Sequence, residues 1–142
     1  MTREGAGYTY FDVEADIGVR AWGPTRAAAL AQAALGVLAL VVEPQTVRVR
    51  EQREVRAQGE SPESLLVNWI DECLYVQEIE GFAVHEVEVV ALTEALVHGR
   101  LHGEPLDTTR HRTGTVVKAA TLHDVRLHDE PGRHEVALIV DV

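Results

Sequence analysis

One helix is readily placed from residues 61–81, SPESLLVNWIDECLYVQEIEG. Ser61 followed by Pro62 is a typical helix start, because the hydroxyl caps a backbone amide and proline suits the first helical position. Apolar residues then recur at intervals of three and four, which predicts one buried helix face. Gly81 is well placed to end the helix. The face consists of Leu65, Leu66, Trp69, Ile70, Cys73 and Leu74.

A second helix and several strands are predicted in the sequence before and after this helix. Thr25 can cap a helix over residues 26–41, which Pro44 stops. Alternation predicts strands over residues 7–13, 16–22, 46–57, 82–92, 95–102, 115–127 and 135–142, with a bulge or bend near Gln52. The predicted class is α+β: a single compact domain over residues 1–142, with two helices packed on one or two mainly antiparallel sheets. Residues 1–7 are expected to be a loose N-terminal lead.

Composition narrows the classes of function. The net charge of −10 argues against strong nucleic-acid binding, which depends on Lys and Arg neutralising phosphates. A single cysteine excludes an intramolecular disulfide and a multi-cysteine zinc cage. No apolar run is long enough to cross a membrane, and the N-terminus does not resemble a signal peptide. These features predict a cytoplasmic protein.

The basic residues are strongly skewed, with twelve arginines and a single lysine, Lys118. Arginine is a planar fork and lysine a compact point charge, so a retained lysine can mark a site that needs an ammonium group. A genome that suppresses lysine gives the same composition. The composition alone leaves both explanations open.

Carboxylates occur at an early bend and again at the end of the chain. Asp12, Glu14 and Asp16 lie within five residues, and carboxylate oxygens suit calcium and magnesium. The last apolar strand stops at Asp141 and Val142. If the bend lies beside this end, the convergent negative charges favour a bound cation. The alternative is a solvated turn and a solvated chain end, and the residues alone favour that alternative.

A long polar segment, residues 103–115, is predicted to be a loop between strands, and such loops are often functional. A histidine beside a carboxylate, as in His123-Asp124, is the combination that a small metal-assisted hydrolase would use. Neighbouring residues on a strand face opposite sides, however, so the two are not expected to pair. His98 and His102 lack zinc-site spacing and are better explained as surface or cross-strand histidines.

Several stretches, taken together, resemble the archease family over about residues 8–142. They are Ala15-Asp16-Ile17-Gly18, Gly103-Glu104-Pro105-Leu106-Asp107, Arg110-His111, VKAATLHD at residues 117–124, and Val140-Asp141-Val142. The combination is more specific than any one of them.

The resemblance implies a non-catalytic accessory protein that activates an RtcB-type RNA ligase in tRNA splicing and RNA repair. Family members promote guanylylation of the ligase, which uses GTP and manganese, and sustain its turnover. GTP and tRNA are then reached through the ligase, and no membrane is involved. The resemblance also implies a divalent cation, usually calcium, with magnesium or manganese as alternatives. Its ligands would be Asp16, Asp141 and the terminal carboxylate of Val142.

Partner contacts are implied for Lys118, and less directly for His123, Asp124, Asp107 and His111. One departure is clear, because Val13 stands where the family usually has a histidine. Asp12 and Glu14 remain candidates for added ligands or contacts. A hydrolase using His123 and Asp124, or a chaperone-like interaction module, are the alternative functions.

Overall fold

The structure is a computed structural model that describes residues 5–142. Both predicted helices are present: α1 (Arg26–Val41) and α2 (Pro62–Glu78). Thr25 Oγ1 accepts a hydrogen bond of 3.1 Å from the amide of Ala28, and Ser61 Oγ accepts one of 3.1 Å from Ser64. Gly81 follows α2 with a φ of 69°, a left-handed conformation that glycine adopts without strain.

Seven strands form two antiparallel sheets. The first sheet has the order β1-β2-β7-β6 and the second has the order β3-β5-β4. These elements confirm the predicted α+β class with two helices and antiparallel sheets. The strands are β1 (Gly7–Val13), β2 (Asp16–Gly23), β3 (Glu51–Gln58), β4 (Phe82–Leu92), β5 (Leu96–Pro105), β6 (Ala119–Glu130) and β7 (Arg133–Asp141).

The helices join the two sheets into one core. The α1 helix packs against β2 and β4, and α2 packs against β6 and β3, so each helix contacts both sheets. Apolar residues therefore cover more than one side of α1, and the successive residues Ala29, Leu30 and Ala31 are all buried. The indole of Trp69, fully buried, donates a 2.9 Å hydrogen bond to the carbonyl of Leu30 and so ties α2 to α1.

The strand predicted over residues 46–57 begins later than expected. A 3₁₀ turn, Pro44–Thr46, is followed by an extended segment, and β3 starts at Glu51. The predicted bulge near Gln52 is wrong, because β3 pairs with β5 in continuous register from Glu51–Gly103 to Gln58–Leu96. The alternation appeared to break only because residues 47–50 do not belong to the strand.

Two boundaries near the polar loop also differ from the prediction. The strand β5 continues to Pro105, so the first part of the predicted loop is paired with β4. The strand predicted from residue 115 begins only at Ala119. Of the predicted lead, residues 1–4 lie outside the described chain, whereas Gly7 already pairs with Trp22. Neither helix within residues 5–142 is long and apolar enough to cross a membrane.

Candidate functional site

One end of the molecule gathers most of the predicted functional residues. The strands β1, β5 and β7 and both helices finish at this end, whereas β2, β3, β4 and β6 begin there. Three backbone contacts connect the segments that meet there. Glu43 N donates to Arg112 O at 2.8 Å, Gly114 N to Val41 O at 2.8 Å, and Lys118 N to Asp141 O at 2.8 Å.

Asp16 and Asp141 occupy neighbouring positions on adjacent strands. The β2–β7 register pairs Ile17 with Val140, and Asp16 and Asp141 are the next residues outward. Side chains at opposed positions of an antiparallel pair share a face, with Cβ atoms about 5 Å apart. Neither carboxylate forms an ion pair within residues 5–142. We call Asp16, Lys118, Asp141 and Val142 the C-terminal tip.

The remaining carboxylates of the early bend lie differently. Asp12 pairs with Ile17, whereas Asp16 pairs with Val13, so Asp12 and Asp16 face opposite sides of the sheet. Glu14 is exposed in the two-residue turn between β1 and β2. Ala15 completes this turn with a φ of 66°, which is unusual for a residue with a Cβ atom.

Lys118 lies on the short segment that leads into β6. Its side chain is exposed and forms no ion pair within residues 5–142, while its amide is held by the carbonyl of Asp141. Two residues earlier, Val116 is 68% exposed, whereas Val117 is fully buried. The segment therefore anchors itself through Val117 and presents Lys118 to solvent beside the last strand.

The expectation that His123 and Asp124 do not pair is wrong. Their Nε2 and Oδ2 atoms are 3.4 Å apart. The reason is an irregularity in β6: the register advances from Thr121 to Arg126 while β7 advances only from Ile139 to Ala137. Asp124 has a φ of 55° within this bulge, so the strand alternation does not apply. Both side chains are well exposed, at 76% and 56%.

A buried carboxylate that sequence reasoning missed, Glu104, organises the polar loop. Its side chain is 1% exposed, and Oε2 accepts hydrogen bonds from the amide of Arg48 at 2.8 Å and from Arg110 at 2.9 Å. The Arg110 guanidinium is the main reason that the pKa of Glu104 lies well below its usual range. The other oxygen, Oε1, has no hydrogen-bond donor within residues 5–142 and lies 3.9 Å from Arg50. The signal in the sequence was that Glu104 belongs to Gly103-Glu104-Pro105-Leu106-Asp107, one of the stretches that resemble the archease family, and precedes the Arg110-His111 pair.

Asp107 and His111 both belong to this loop, but only Asp107 is exposed. His111 is 3% exposed: Nδ1 accepts from the amide of Asp107 at 2.9 Å, and Nε2 lies 2.8 Å from Glu104 Oε2. Asp107 Oδ1 accepts from the amide and the hydroxyl of Thr109, which lowers the pKa of Asp107. His111 therefore positions the loop from inside, while Asp107 stays on its surface.

The histidines of β5 are cross-strand partners of carboxylates, as expected. His98 contacts Glu54 on β3, and His102 Nε2 lies 3.0 Å from Glu88 Oε1 on β4. Among residues 5–142 no three His, Cys, Asp or Glu side chains are grouped closely enough to hold a metal ion. A cation at the C-terminal tip would thus have two side-chain ligands, Asp16 and Asp141, and would need a further donor.

Comparison with known proteins agrees with the resemblance found in the sequence. Residues 8–142 match the Archease protein family (MTH1598/TM1083). The chain belongs to the archease family. It is 33% identical over 139 residues to protein archease of Pyrococcus abyssi, covering 95% of this chain and 98% of the relative. It is 32% identical over 137 residues to protein archease of Sulfurisphaera tokodaii, with the same coverage.

Solved structures share this archease fold. Protein 1598 of Methanobacterium thermoautotrophicum superposes with a TM-score of 0.77 at 28% identity, covering 96% of this chain and 99% of the other. An archease of Thermotoga maritima, described as a possible chaperone, gives a TM-score of 0.58 at 17% identity, covering 93% and 94%. The second likeness concerns the fold alone.

The glycine in Ala15-Asp16-Ile17-Gly18, one of the stretches that resemble the archease family, has a structural explanation. A Cβ atom at Gly18 would collide with the ring of Phe11, which pairs with Gly18 across β1 and β2. The Arg20 guanidinium lies over the same ring, 5.1 Å from its centroid. The absence of a side chain at Gly18 therefore leaves room for the Phe11 ring on this face of the sheet, two residues from Asp16.

Proposed function

We propose that this archease-family protein is a non-catalytic activator of an RtcB-type RNA ligase. It promotes ligase guanylylation and turnover in tRNA splicing or RNA repair, in the cytoplasm, and meets GTP and RNA through the ligase. Family membership supports this proposal. The observation that carries it is the convergence of Asp16, Lys118 and Asp141 at one end of the fold. Sheet pairing fixes Asp16 and Asp141, and the hydrogen bond from Lys118 N to Asp141 O fixes the backbone of Lys118.

The C-terminal tip is the surface that we propose meets the ligase. Lys118 is an exposed ammonium with no ion-pair partner in residues 5–142, and the neighbouring carboxylates are equally unpaired. His123, Asp124 and Asp107 are exposed and offer further contacts, whereas His111 acts only through the loop that it holds. Binding to one ligase conformation more tightly than to another would shift the ligase towards its guanylylated form.

We further propose that the tip holds a divalent cation, with calcium as the first candidate and magnesium or manganese as alternatives. Asp16 and Asp141 supply two neighbouring carboxylates, and the carboxylate of Val142 would be the third donor. All three are hard oxygen donors of the type that these cations prefer. When bound, the cation would neutralise like charges and tie the β1–β2 turn to β7.

A guanylylation assay tests the activator role. A cognate RtcB-type ligase is incubated with labelled GTP, with and without this protein, and the labelled ligase is quantified. The wild type should accelerate labelling, and the double variant Asp16→Ala, Lys118→Ala should lose most of that effect. The matched control is Asp12→Ala, Arg56→Ala, which removes the same charges from other surfaces.

Two results would replace this proposal. If the isolated protein hydrolyses RNA, nucleotide or ester substrates and His123→Ala abolishes the turnover, the contact of His123 with Asp124 marks a hydrolase. If ligase labelling is unchanged but aggregation of an unfolded client is suppressed, the protein acts as a chaperone-like module. Full stimulation of ligase guanylylation by the double variant would also refute the assignment of the C-terminal tip as the surface that meets the ligase.

A further inference from the structure

A cluster of arginines lies on the other side of the same end of the molecule. It combines Arg48 and Arg50, on the extended segment before β3, with Arg110 and Arg112, on the loop after β5. The two segments run side by side, because Arg48 N donates to Glu104, Arg112 N donates to Thr46 Oγ1, and Glu43 N donates to Arg112 O. We call these four residues the arginine strip.

The arginine strip is positively charged at its surface, although the protein as a whole is strongly acidic. Residues 43–50 and 103–114 contain these four arginines and three carboxylates, Glu43, Glu104 and Asp107, which leaves one net positive charge. Glu104 is buried and pairs with Arg110, and Glu43 pairs with Arg112. Arg50 and Arg112 have side chains that are 67% and 72% exposed. In a chain with a net charge of −10, this local excess of positive charge is unusual.

Glu104 gives the strip its rigidity. It fixes the backbone of Arg48 and the guanidinium of Arg110 through one oxygen, while Arg50 lies 3.9 Å from the other. Arg110 uses Nη1 for this contact. A guanidinium carries five N–H donors, so the other nitrogens of Arg110 keep donors for a ligand. Arg50, Arg110 and Thr108 line an open cavity of about 560 Å³.

We propose that the protein, besides meeting RNA through the ligase, also contacts an RNA strand directly, with the arginine strip binding its phosphate groups. Guanidinium forks match phosphate oxygens, and threonine hydroxyls such as Thr108 are common additional donors. Neither segment contains Phe, Tyr or Trp, so stacking on bases is not available there. The strip would therefore contact the backbone without reading the sequence, and the binding would be weak and sensitive to salt.

An acidic protein surface is the competing ligand for four arginines. Stable protein interfaces usually centre on buried aromatic or large apolar anchors, and the strip offers only Val49, which is 54% exposed. Threonines are also frequent in this loop, at positions 108, 109, 113 and 115. Hydroxyls combined with guanidinium groups favour a phosphate backbone over a packed protein face.

The test measures binding of the isolated protein to a fluorescein-labelled single-stranded RNA by anisotropy, at several salt concentrations. No ligase is present, so the result is independent of the activator role. The strip variant is Arg48→Gln, Arg50→Gln, because the backbone contacts of both residues survive the substitutions. The control is Arg56→Gln, Arg126→Gln, which removes two exposed arginines elsewhere that form no ion pair within residues 5–142.

The strip variant should bind RNA about tenfold more weakly at low salt, and the slope of log K against log salt should fall by about 1.4, since each phosphate on a single strand contributes about 0.7. The control should stay within about twofold of wild type. Competition with GTP distinguishes a nucleotide from an RNA strand as the source of phosphate. If GTP displaces the labelled RNA at a lower concentration than unlabelled RNA does, counted in nucleotides, the ligand of the strip is a nucleotide and not an RNA strand.

Three outcomes would overturn the proposal. They are no RNA binding at low salt, equal losses in the strip and control variants, and unchanged RNA binding by the strip variant. If the last result came with weaker binding to a ligase, the strip would be a contact for an acidic protein surface. Circular dichroism and the unfolding midpoint of each variant show whether a loss reflects the ligand or the fold.

Discussion

Glu104 Oε2 and His111 Nε2 lie 2.8 Å apart, with both side chains almost completely buried. His111 Nδ1 accepts a hydrogen bond from the amide of Asp107, so the proton of a neutral ring must lie on Nε2, where it is donated to Glu104. Glu104, near the end of β5, thereby holds His111 of the polar loop from inside. The loop, in turn, carries the exposed Asp107 and Arg110.

The first prediction concerns this tautomer. The neutral His111 ring should be the Nε2–H tautomer, because Nδ1 accepts a hydrogen bond from the amide of Asp107. Two-dimensional ¹⁵N–¹H correlation of the imidazole nitrogens measures it directly, with exposed His123 as the internal comparison. A protonated Nδ1 on the neutral ring would contradict the arrangement of the loop.

The second prediction concerns the charge of Glu104. Glu104→Gln should destabilise the protein by about 2 kcal/mol, because a neutral amide replaces the buried carboxylate that accepts a charge-assisted hydrogen bond from Arg110. Glu43→Gln is the control. It breaks an exposed pair with Arg112 and should cost less than about 1 kcal/mol. Urea midpoints of the three proteins give the comparison.

The same pair predicts a pH dependence. Arg110 holds the pKa of Glu104 well below its usual value of 4.5, so the carboxylate stabilises the fold fully above that value. This contribution is lost as the pH falls through the lower, folded-state pKa. The difference in stability between wild type and Glu104→Gln should therefore shrink below pH 4.5. A difference that stayed constant down to strongly acidic pH would contradict the assignment.

Much of the fold could be predicted because local signals agreed with the final structure. The caps at Thr25 and Ser61 and the apolar spacing of α2 are local, and both helices were placed correctly. The errors arose where tertiary contacts decide the backbone. Residues 47–50 are extended but lie outside β3, and the β6 bulge turns His123 and Asp124 towards each other. No periodicity reports such contacts.

The candidate site, like the fold, could be predicted from the sequence only in part. The approach of Asp16 to Asp141 depends on β7 pairing with β2, which strand patterns alone do not determine. The resemblance to the archease family implied that Asp16 and Asp141 share a site, and therefore that the strands carrying them lie close together. Glu104 was overlooked because a charged residue in a polar loop is usually solvated, and only the packed loop shows that it is buried.

The third prediction concerns the β1–β2 turn. Ala15 has a φ of 66°, which costs a residue with a Cβ atom about 1–2 kcal/mol, while glycine pays only its greater unfolded-state entropy. Ala15→Gly should therefore stabilise the protein by about 0.5–1 kcal/mol. The reverse change, Gly132→Ala at a φ of 78° in the turn between β6 and β7, should destabilise it by about 1 kcal/mol. Thermal unfolding measures both, and a destabilising Ala15→Gly would mean that the turn relaxes differently.

The fourth prediction concerns the proposed cation and uses the register of β1 and β2. Calcium at about a hundred times its dissociation constant should stabilise the wild type by about 2.7 kcal/mol, which corresponds to a rise in Tm of about 5–10 °C. Asp16→Asn and Asp141→Asn should each remove most of that rise in Tm, because Asp16 and Asp141 are the two neighbouring side-chain ligands of the proposed site.

Asp12→Asn is the matched control for this experiment, because Asp12 pairs with Ile17 and faces the opposite side of the sheet from Asp16. It removes the same charge four residues away and should keep the calcium-dependent rise in Tm. Appending a short glycine-serine tail to Val142 should reduce the rise by converting the carboxylate to an amide, whereas an N-terminal tail should not. If Asp12→Asn reduced the calcium-dependent rise in Tm as much as Asp16→Asn does, calcium would be stabilising the protein through its overall negative charge and not through the C-terminal tip. If calcium, magnesium and manganese all left the Tm of the wild type unchanged, the proposed site would be refuted.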